Sequence, residues 1–181
     1  MTTNGRFNEG GNGKMKYVIV GNGFAGIRAI EQIRENDSEG EITLISDESN
    51  YSRPMISYYL GKKVAASAMP YRSDEFFQAC KVQMKIGQKV KAIDVTKKVV
   101  TLANGEAVPY GKLLLATGGT PIIPPIPGIE SKGVFNFITF DHAKKIEAYI
   151  TNNKIKSAVV LGGGLIGLKA TEALIDLGIQ V

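Results

Sequence analysis

KYVIVGNGFAGIRAIEQIREN, residues 16–36, decides the fold. It opens on an apolar run, Tyr17 to Val20, in which valine and isoleucine dominate, as in a strand buried on both faces of a parallel sheet. Past the glycines, Ile27, Ile30 and Ile33 recur at helical spacing, while Arg28, Glu31, Arg34 and Glu35 fall on other faces. The segment NDSEG then closes the helix, and EITLIS supplies a second buried strand around Ile42 to Ile45. Strand, turn, helix and strand make a βαβ unit, whose crossover is expected to be right-handed.

The turn itself, GNGFAG, sets Gly21, Gly23 and Gly26 in a G-x-G-x-x-G spacing directly after the strand and directly before the helix. The first glycine permits the tight turn, the second admits a pyrophosphate to the backbone, and the third lets helix pack on strand. The helix N-terminus offers unpaired N–H groups and partial positive charge to phosphate oxygens. Asp47 and Glu48 follow Gly26 by about twenty residues, the distance at which an acid meets the ribose hydroxyls of a dinucleotide. The chain closes on a second copy of this grammar. There SAVVL reads as a strand, GGGLIG carries Gly162, Gly164 and Gly167, and LIGLKATEALIDLG reads as a helix. Two such turns in one short chain point to redox chemistry between a flavin and a nicotinamide.

Between the turns, YSRPMISYYLGKK places Pro54 in a helix's first turn and Gly61 at its end. In RSDEFFQACK, Ser73 is a good N-cap, with Asp74 and Glu75 where they favour the helix dipole. Cys80 on that helix reads as a small buried hydrophobe. Residues 88–111 then alternate apolar and polar, with Asn104-Gly105 as a hairpin turn, so a small antiparallel meander interrupts the α/β pattern. KLLLAT, residues 112–117, returns to a buried strand. Prolines 121, 124, 125 and 127 make the next stretch a stiff, extended connector and the natural domain boundary. TFDHAKKIEAYITNN reads as a helix carrying the only histidine, His142, on a solvated outer face.

Composition excludes several classes. The net charge is +5, with 22 Lys+Arg against 17 Asp+Glu; the basic residues are spread over the chain, their densest runs only pairs, without the clustered basic face that nucleic acid requires. No apolar run approaches the roughly 20 residues of a membrane span. The Gly/Asn-rich start, residues 1–14, lacks the apolar stretch of a secretory signal and reads as a flexible leader. A single cysteine excludes an internal disulfide and a CxxC pair, and a cytoplasmic location is expected.

Over residues 16–181 the sequence resembles the pyridine nucleotide-disulfide oxidoreductase superfamily, the flavoproteins with two dinucleotide-binding domains. VIVGNGFAG, YSRPMISYYLGKK, YGKLLLATGGTPIIPPIPG and VVLGGGLIGLKATEAL carry the resemblance. The third looks like the family's ATG motif followed by its proline-rich crossover. The resemblance implies FAD on the first glycine turn and NAD(P)H on the second. Position by position, Gly21, Gly23 and Gly26 should meet the FAD pyrophosphate, and Asp47 the adenosine ribose, with Ser46 at the strand end as the other candidate. Arg53-Pro54 matches the basic-Pro step that reaches the pyrophosphate and flavin edge. Val90 matches the position whose backbone contacts adenine, and Ala116, Thr117 and Gly118 match the ATG segment beside the cofactor. Gly162, Gly164 and Gly167 should hold NAD(P)H.

In this family the disulfide-reducing members carry a cysteine pair near the flavin, and the peroxidase and oxidase branch a single cysteine just before YLGG-like residues; here RPMISYYLGKK has none, and Cys80 fits neither pattern. The nearest branches are therefore the rubredoxin-reductase-like proteins and the N-terminal region of NADH-dependent nitrite reductase large subunits. These pass electrons from NAD(P)H through FAD to a separate protein or small-molecule acceptor. No catalytic acid or base and no metal ligand set is expected. The implied architecture is α/β: a Rossmann-like FAD-binding domain (15–120), a Pro-rich crossover (121–130) and the start of an NAD(P)H-binding domain (131–181). Because the family later returns to complete its FAD sheet, the chain reads as a truncated piece, weak or inactive alone. The alternatives are one subunit of a split reductase completed by a partner chain, or a non-catalytic FAD-binding or dimer-forming module.

Overall fold

A computed structural model of the protein describes residues 13–181. The leader expected over 1–14 therefore lies outside the described residues except at its end, where Lys14 pairs with Glu39 at 3.0 Å. The elements are β1 Lys16–Val20, α1 Phe24–Asn36, β2 Glu41–Ser46, α2 Ile56–Leu60, α3 Asp74–Ala79, β3 Val82–Ile86, β4 Val90–Asp94, β5 Val99–Leu102, β6 Ala107–Pro109, β7 Lys112–Leu115, α4 Phe140–Asn153 and α5 Leu165–Asp176. A 3-10 turn, Arg53–Met55, leads into α2 with Pro54 in its first turn, and Gly61 caps α2, as the sequence predicts.

Four strands form a parallel sheet in the order β3-β2-β1-β7, and β4-β5-β6 form the antiparallel meander. The period-2 geometry of a strand sends neighbouring side chains to opposite faces, and in β1 and β2 both faces are covered. Val18, Val20 and Ile45 pack against Val100, Leu102 and Val108 of the meander. Ile19, Ile42 and Leu44 pack against Ile27 and Ile30 of α1 and Phe77 of α3. All six of these strand residues are buried. At about 1.5–3 kcal/mol for each fully buried aliphatic side chain, this double coverage is the main force holding the layers together.

Two strands of the parallel sheet differ from expectation. β3 is not among the strands anticipated from the sequence, although Val82, Met84 and Ile86 alternate with Gln83 and Lys85; it extends the sheet beyond β2. β7 reads as buried in the sequence, yet among the described residues it pairs only with β1 and lies at the sheet edge, leaving Leu114 38% and Leu115 57% exposed. An edge strand has one neighbour, and only Leu113 of β7 reaches the meander core.

A second core joins the two halves of the sequence. Tyr51, Ile56, Leu60 and Met69 pack with Phe140 and Ala143 of α4 and Ala173 of α5. Lys63 reinforces it through ion pairs to Asp176 (2.6 Å) and Glu172 (3.4 Å), and Glu147 on α4 accepts from Tyr59 and Lys62. The strand expected at SAVVL is reduced to one parallel bridge, Ser157 to Gln180, with Val159 94% and Leu161 74% exposed. Among the described residues Gln180 is its only strand partner, and a lone pairing is too little to build a ladder. No helix among the described residues is long and apolar enough to cross a membrane.

Candidate functional site

The C-terminal ends of β1, β2 and β7 lie side by side, the edge at which open α/β sheets bind ligands. The first glycine turn leaves β1 here. Gly21 donates to the Ile45 carbonyl (2.8 Å), and Ala116 donates to the Val20 carbonyl (2.8 Å). Gly21 has φ +106°, and a Cβ on it would lie 2.2 Å from the Ala116 carbonyl oxygen and 3.2 Å from the Thr117 nitrogen. No side chain can stand between these segments. The turn and the ATG segment, separated by most of the intervening chain, are thus in van der Waals contact because residue 21 is glycine. A Cβ on Gly26 would lie 2.0 Å from the Gly21 carbonyl oxygen, which is how the helix closes on the turn. Gly23 is different: a Cβ there meets nothing within 4 Å, so the middle of the turn faces open space.

α1 starts at this open mouth without a side-chain cap and with no acid in its first turn. That contrasts with α4, which Thr139 caps by accepting from the His142 N–H and which carries Asp141 in its first turn. It contrasts also with α3, which has Asp74 and Glu75 there. Capping and first-turn acids are what a helix uses when its N–H groups meet only protein and water. α5 repeats the α1 pattern: it begins uncapped at Gly164, lacks a first-turn acid, and Gly167 would set a Cβ 1.9 Å from the Gly162 carbonyl oxygen. Gly162 has φ +117° and Gly164 faces open space. The two turns therefore share one geometry. Their donor sets, uncapped N–H groups with nothing in front of the middle glycine, fit the diphosphate of a dinucleotide.

β2 ends beside the first turn. Ser46 is buried, and its hydroxyl accepts from the Glu48 N–H (3.2 Å), so it shapes the loop from within. Asp47 is exposed at the strand end. Gln88 donates to the Ser46 carbonyl (3.1 Å), which brings the start of the meander, two residues before Val90, to the same edge; the Val90 side chain itself packs under the sheet. Gly118 closes the ATG segment with φ +69° and open space around it.

Arg53 is fixed on two sides. It donates to the Glu48 carboxylate (2.6 Å) and to the Ile138 carbonyl (3.0 Å), and its guanidinium lies 5.3 Å from the Tyr51 ring centre. The same Glu48 oxygen accepts from the Tyr51 hydroxyl (3.0 Å). Burial of Tyr51 pushes that phenol up to about 12, so it remains a donor at physiological pH. His142, expected on a solvated face, is instead half-buried, and its Nδ1 accepts from the Ile138 N–H (3.4 Å). Burial holds its imidazole below the ordinary histidine value. Cys80, expected on a helix, instead caps α3 half-buried, with burial raising its thiol.

Sequence reasoning missed Asn22. It is buried, and its side chain donates to the Glu48 main-chain carbonyl (2.7 Å), tying the glycine turn to the loop after β2. It missed the Glu48–Arg53–Ile138 chain of contacts as well. An asparagine between two glycines has no periodic signature, and the carbonyl of residue 138 is invisible to any local pattern.

A family model described as pyridine nucleotide-disulphide oxidoreductase matches residues 15–181. The epsilon subunit of NADH-dependent phenylglyoxylate dehydrogenase from Aromatoleum evansii is 39% identical over 92% of this chain, which spans 39% of that protein. Rubredoxin-NAD(+) reductase of Pseudomonas putida is 35% identical over 92% of the chain, which covers 44% of it. Among solved structures, NADH:rubredoxin oxidoreductase from Clostridium acetobutylicum superposes with a TM-score of 0.81 at 25% identity, over 93% of this chain and 43% of that one. The chain thus spans about two fifths of the length of these relatives.

Proposed function

The chain belongs to the pyridine nucleotide-disulphide oxidoreductase family, and on that premise we propose that it is the FAD-binding portion of an NAD(P)H-dependent flavoprotein oxidoreductase serving a separate electron acceptor. The observation that carries this reading is the uncapped, acid-free start of α1 facing open space at Gly23. Helix N–H groups left without protein partners, with a partial positive charge behind them, favour a diphosphate over water.

In this reading Gly21, Gly23 and Gly26 shape the cradle, and the first N–H groups of α1 hold the diphosphate. Asp47, exposed at the end of β2, accepts from the adenosine ribose hydroxyls. Ser46 keeps the loop closed beneath it, and the backbone at Val90 faces adenine. Arg53, held by Pro54 and its two acceptors, turns its remaining N–H groups to the phosphate and flavin side. Ala116, Thr117 and Gly118 line the cofactor's other flank, since Ala116 already touches the turn. Gly162, Gly164 and Gly167 repeat the cradle for NAD(P)H. When bound, the flavin supplies the redox chemistry, taking electrons from reduced nicotinamide and releasing them to the acceptor.

The name of the Pseudomonas putida relative, rubredoxin-NAD(+) reductase, favours a protein as that acceptor here. The division at the proline-rich segment 121–130, with 15–120 serving FAD and 131–181 opening the NAD(P)H part, belongs to this reading, as does a cytoplasmic location. The test is direct. Chain purified after incubation with excess FAD and freed of unbound cofactor should retain visible flavin absorbance; protein emerging colourless, with its fold intact by circular dichroism, overturns the proposal.

A further inference from the structure

Glu48 joins the glycine turn, the end of β2 and Arg53 through its own contacts, and the proposed function gives it no part. Its main-chain carbonyl accepts from Asn22, buried inside the glycine turn, at 2.7 Å. Its main-chain N–H donates to the Ser46 hydroxyl at 3.2 Å. One carboxylate oxygen accepts from both the Tyr51 hydroxyl (3.0 Å) and the Arg53 guanidinium (2.6 Å). Arg53 reaches onward to the Ile138 carbonyl at the approach to α4. We infer that Glu48 is the positioning residue of the dinucleotide site: it holds Arg53 in register with the mouth of the glycine turn, so that guanidinium and helix N–H groups meet one diphosphate together.

The chemistry makes this inference distinguishable from plain electrostatics. A carboxylate beside an anion site repels the anion, so by charge alone removing Glu48 should tighten diphosphate binding. A positioning role predicts the reverse. Arg53 is partly exposed, with 41% of its side chain accessible, and an arginine side chain unheld in solvent loses rotamer entropy when it engages a ligand. The Glu48 carboxylate, the Ile138 carbonyl and the Tyr51 ring remove that freedom before the ligand arrives. Two of the guanidinium's N–H groups are used in this, and the rest of its fork remains for phosphate oxygens. The ion pair itself is partly exposed and contributes little stability. Its consequence is geometric.

The inference rests on the flavin reading, and the experiment separates their failures. FAD is titrated into the 181-residue chain, following quenching of flavin fluorescence, for wild type, E48Q, R53M and the double variant, with melting of each flavin-free protein measured alongside. R53M should weaken FAD about tenfold or more, as loss of a charge-assisted contact does. E48Q, despite losing a negative charge, should weaken it about three- to tenfold while melting close to wild type. In the R53M background, E48Q should change affinity by less than about twofold, because the residue it orients is gone. R53K provides a check that leaves Glu48 untouched: lysine keeps the charge but cannot span both acceptors, so it should behave like R53M. Should E48Q fail to fold, E48D takes its place: its shorter carboxylate keeps the charge but falls short of Arg53, so it should weaken FAD alike, and full affinity in E48D overturns the inference.

E48Q that binds FAD as tightly as wild type or tighter overturns the inference, as does full affinity in R53K or an equal E48Q effect with and without Arg53. A wild-type chain that quenches no flavin overturns the flavin reading, and the inference with it.

Discussion

Replacing Gly23 with alanine separates ligand binding from folding in a way the other turn glycines cannot. Gly23 has φ −73° and ψ −172°, an extended conformation open to any residue, and its added methyl meets nothing within 4 Å. Two effects on stability oppose each other. Reduced freedom of the unfolded chain favours alanine by about 0.4–1 kcal/mol, while alanine is a poorer N-cap than glycine by a similar few tenths to about 1 kcal/mol. The net change is within about 0.5 kcal/mol, and the melting temperature should move by no more than about 2 °C for a chain of this size. The binding effect is one-sided. The methyl occupies the space through which a diphosphate reaches the N–H groups of α1, and losing one charge-assisted hydrogen bond, at about 1.5–3 kcal/mol, weakens FAD roughly ten- to 150-fold. Gly26→Ala makes the control. Its methyl would stand 2.0 Å from the Gly21 carbonyl oxygen, so backbone must move and the protein should melt well below wild type, as overpacked variants do by about 1–3 kcal/mol or more. Calorimetry or circular dichroism gives the melts and fluorescence titration gives the affinities. G23A binding FAD within about twofold of wild type refutes the placement of the diphosphate; G23A melting like G26A refutes the open mouth.

Two further outcomes follow from local geometry. Lys154 caps α4 in the left-handed conformation, φ 50° and ψ 46°; Lys154→Gly relieves a strain of about 1 kcal/mol and should raise the melting temperature by about 2–4 °C, with an unchanged or lower melt counting against it. Asp37 at the end of α1 accepts from the Gly40 and Glu39 N–H groups and from the Tyr17 hydroxyl, and these bonds, Gly40's foremost, hold its carboxyl below the ordinary value. A depressed folded value means the stabilisation is fully present above the unfolded aspartate value of about 3.9 and is lost as pH falls through the lower folded value. Asp37→Asn should therefore flatten the acid limb of a stability-against-pH curve below about pH 5 and leave its slope at neutral pH unchanged; an acid limb as steep as wild type would count against the assignment.

Much of this protein is legible in its sequence, and the reason is local. The strand–turn–helix grammar around Gly21 and again around Gly162 depends on neighbouring residues alone: a β-rich apolar run, glycines where no Cβ fits, and isoleucines at helical spacing. The hairpin at Asn104-Gly105 follows from its turn type, and Gly105 does take a positive φ of 88°. β3 was equally legible, since Val82, Met84 and Ile86 alternate as a strand should. Its pattern lies directly between a helix and a meander, with little to set it off as an element of its own. Where a strand sits in its sheet is another matter. KLLL is as apolar as the strands beside it, yet β7 lies at the edge with Leu115 more than half exposed, because composition does not state how many neighbours a strand has.

The sequence by itself determined that this is an α/β chain with two dinucleotide-type turns, because sterics at a glycine and the period of a helix act within a few residues. Only the tertiary structure decided what those turns face. That Ala116 touches Gly21, that Asn22 is tied to Glu48, and that Arg53 reaches Ile138 are contacts between segments far apart along the chain. Hydrogen bonds and close packing act over a few ångströms in space, whatever the separation in sequence, so such partners exist only once the sheet has brought the strand ends together.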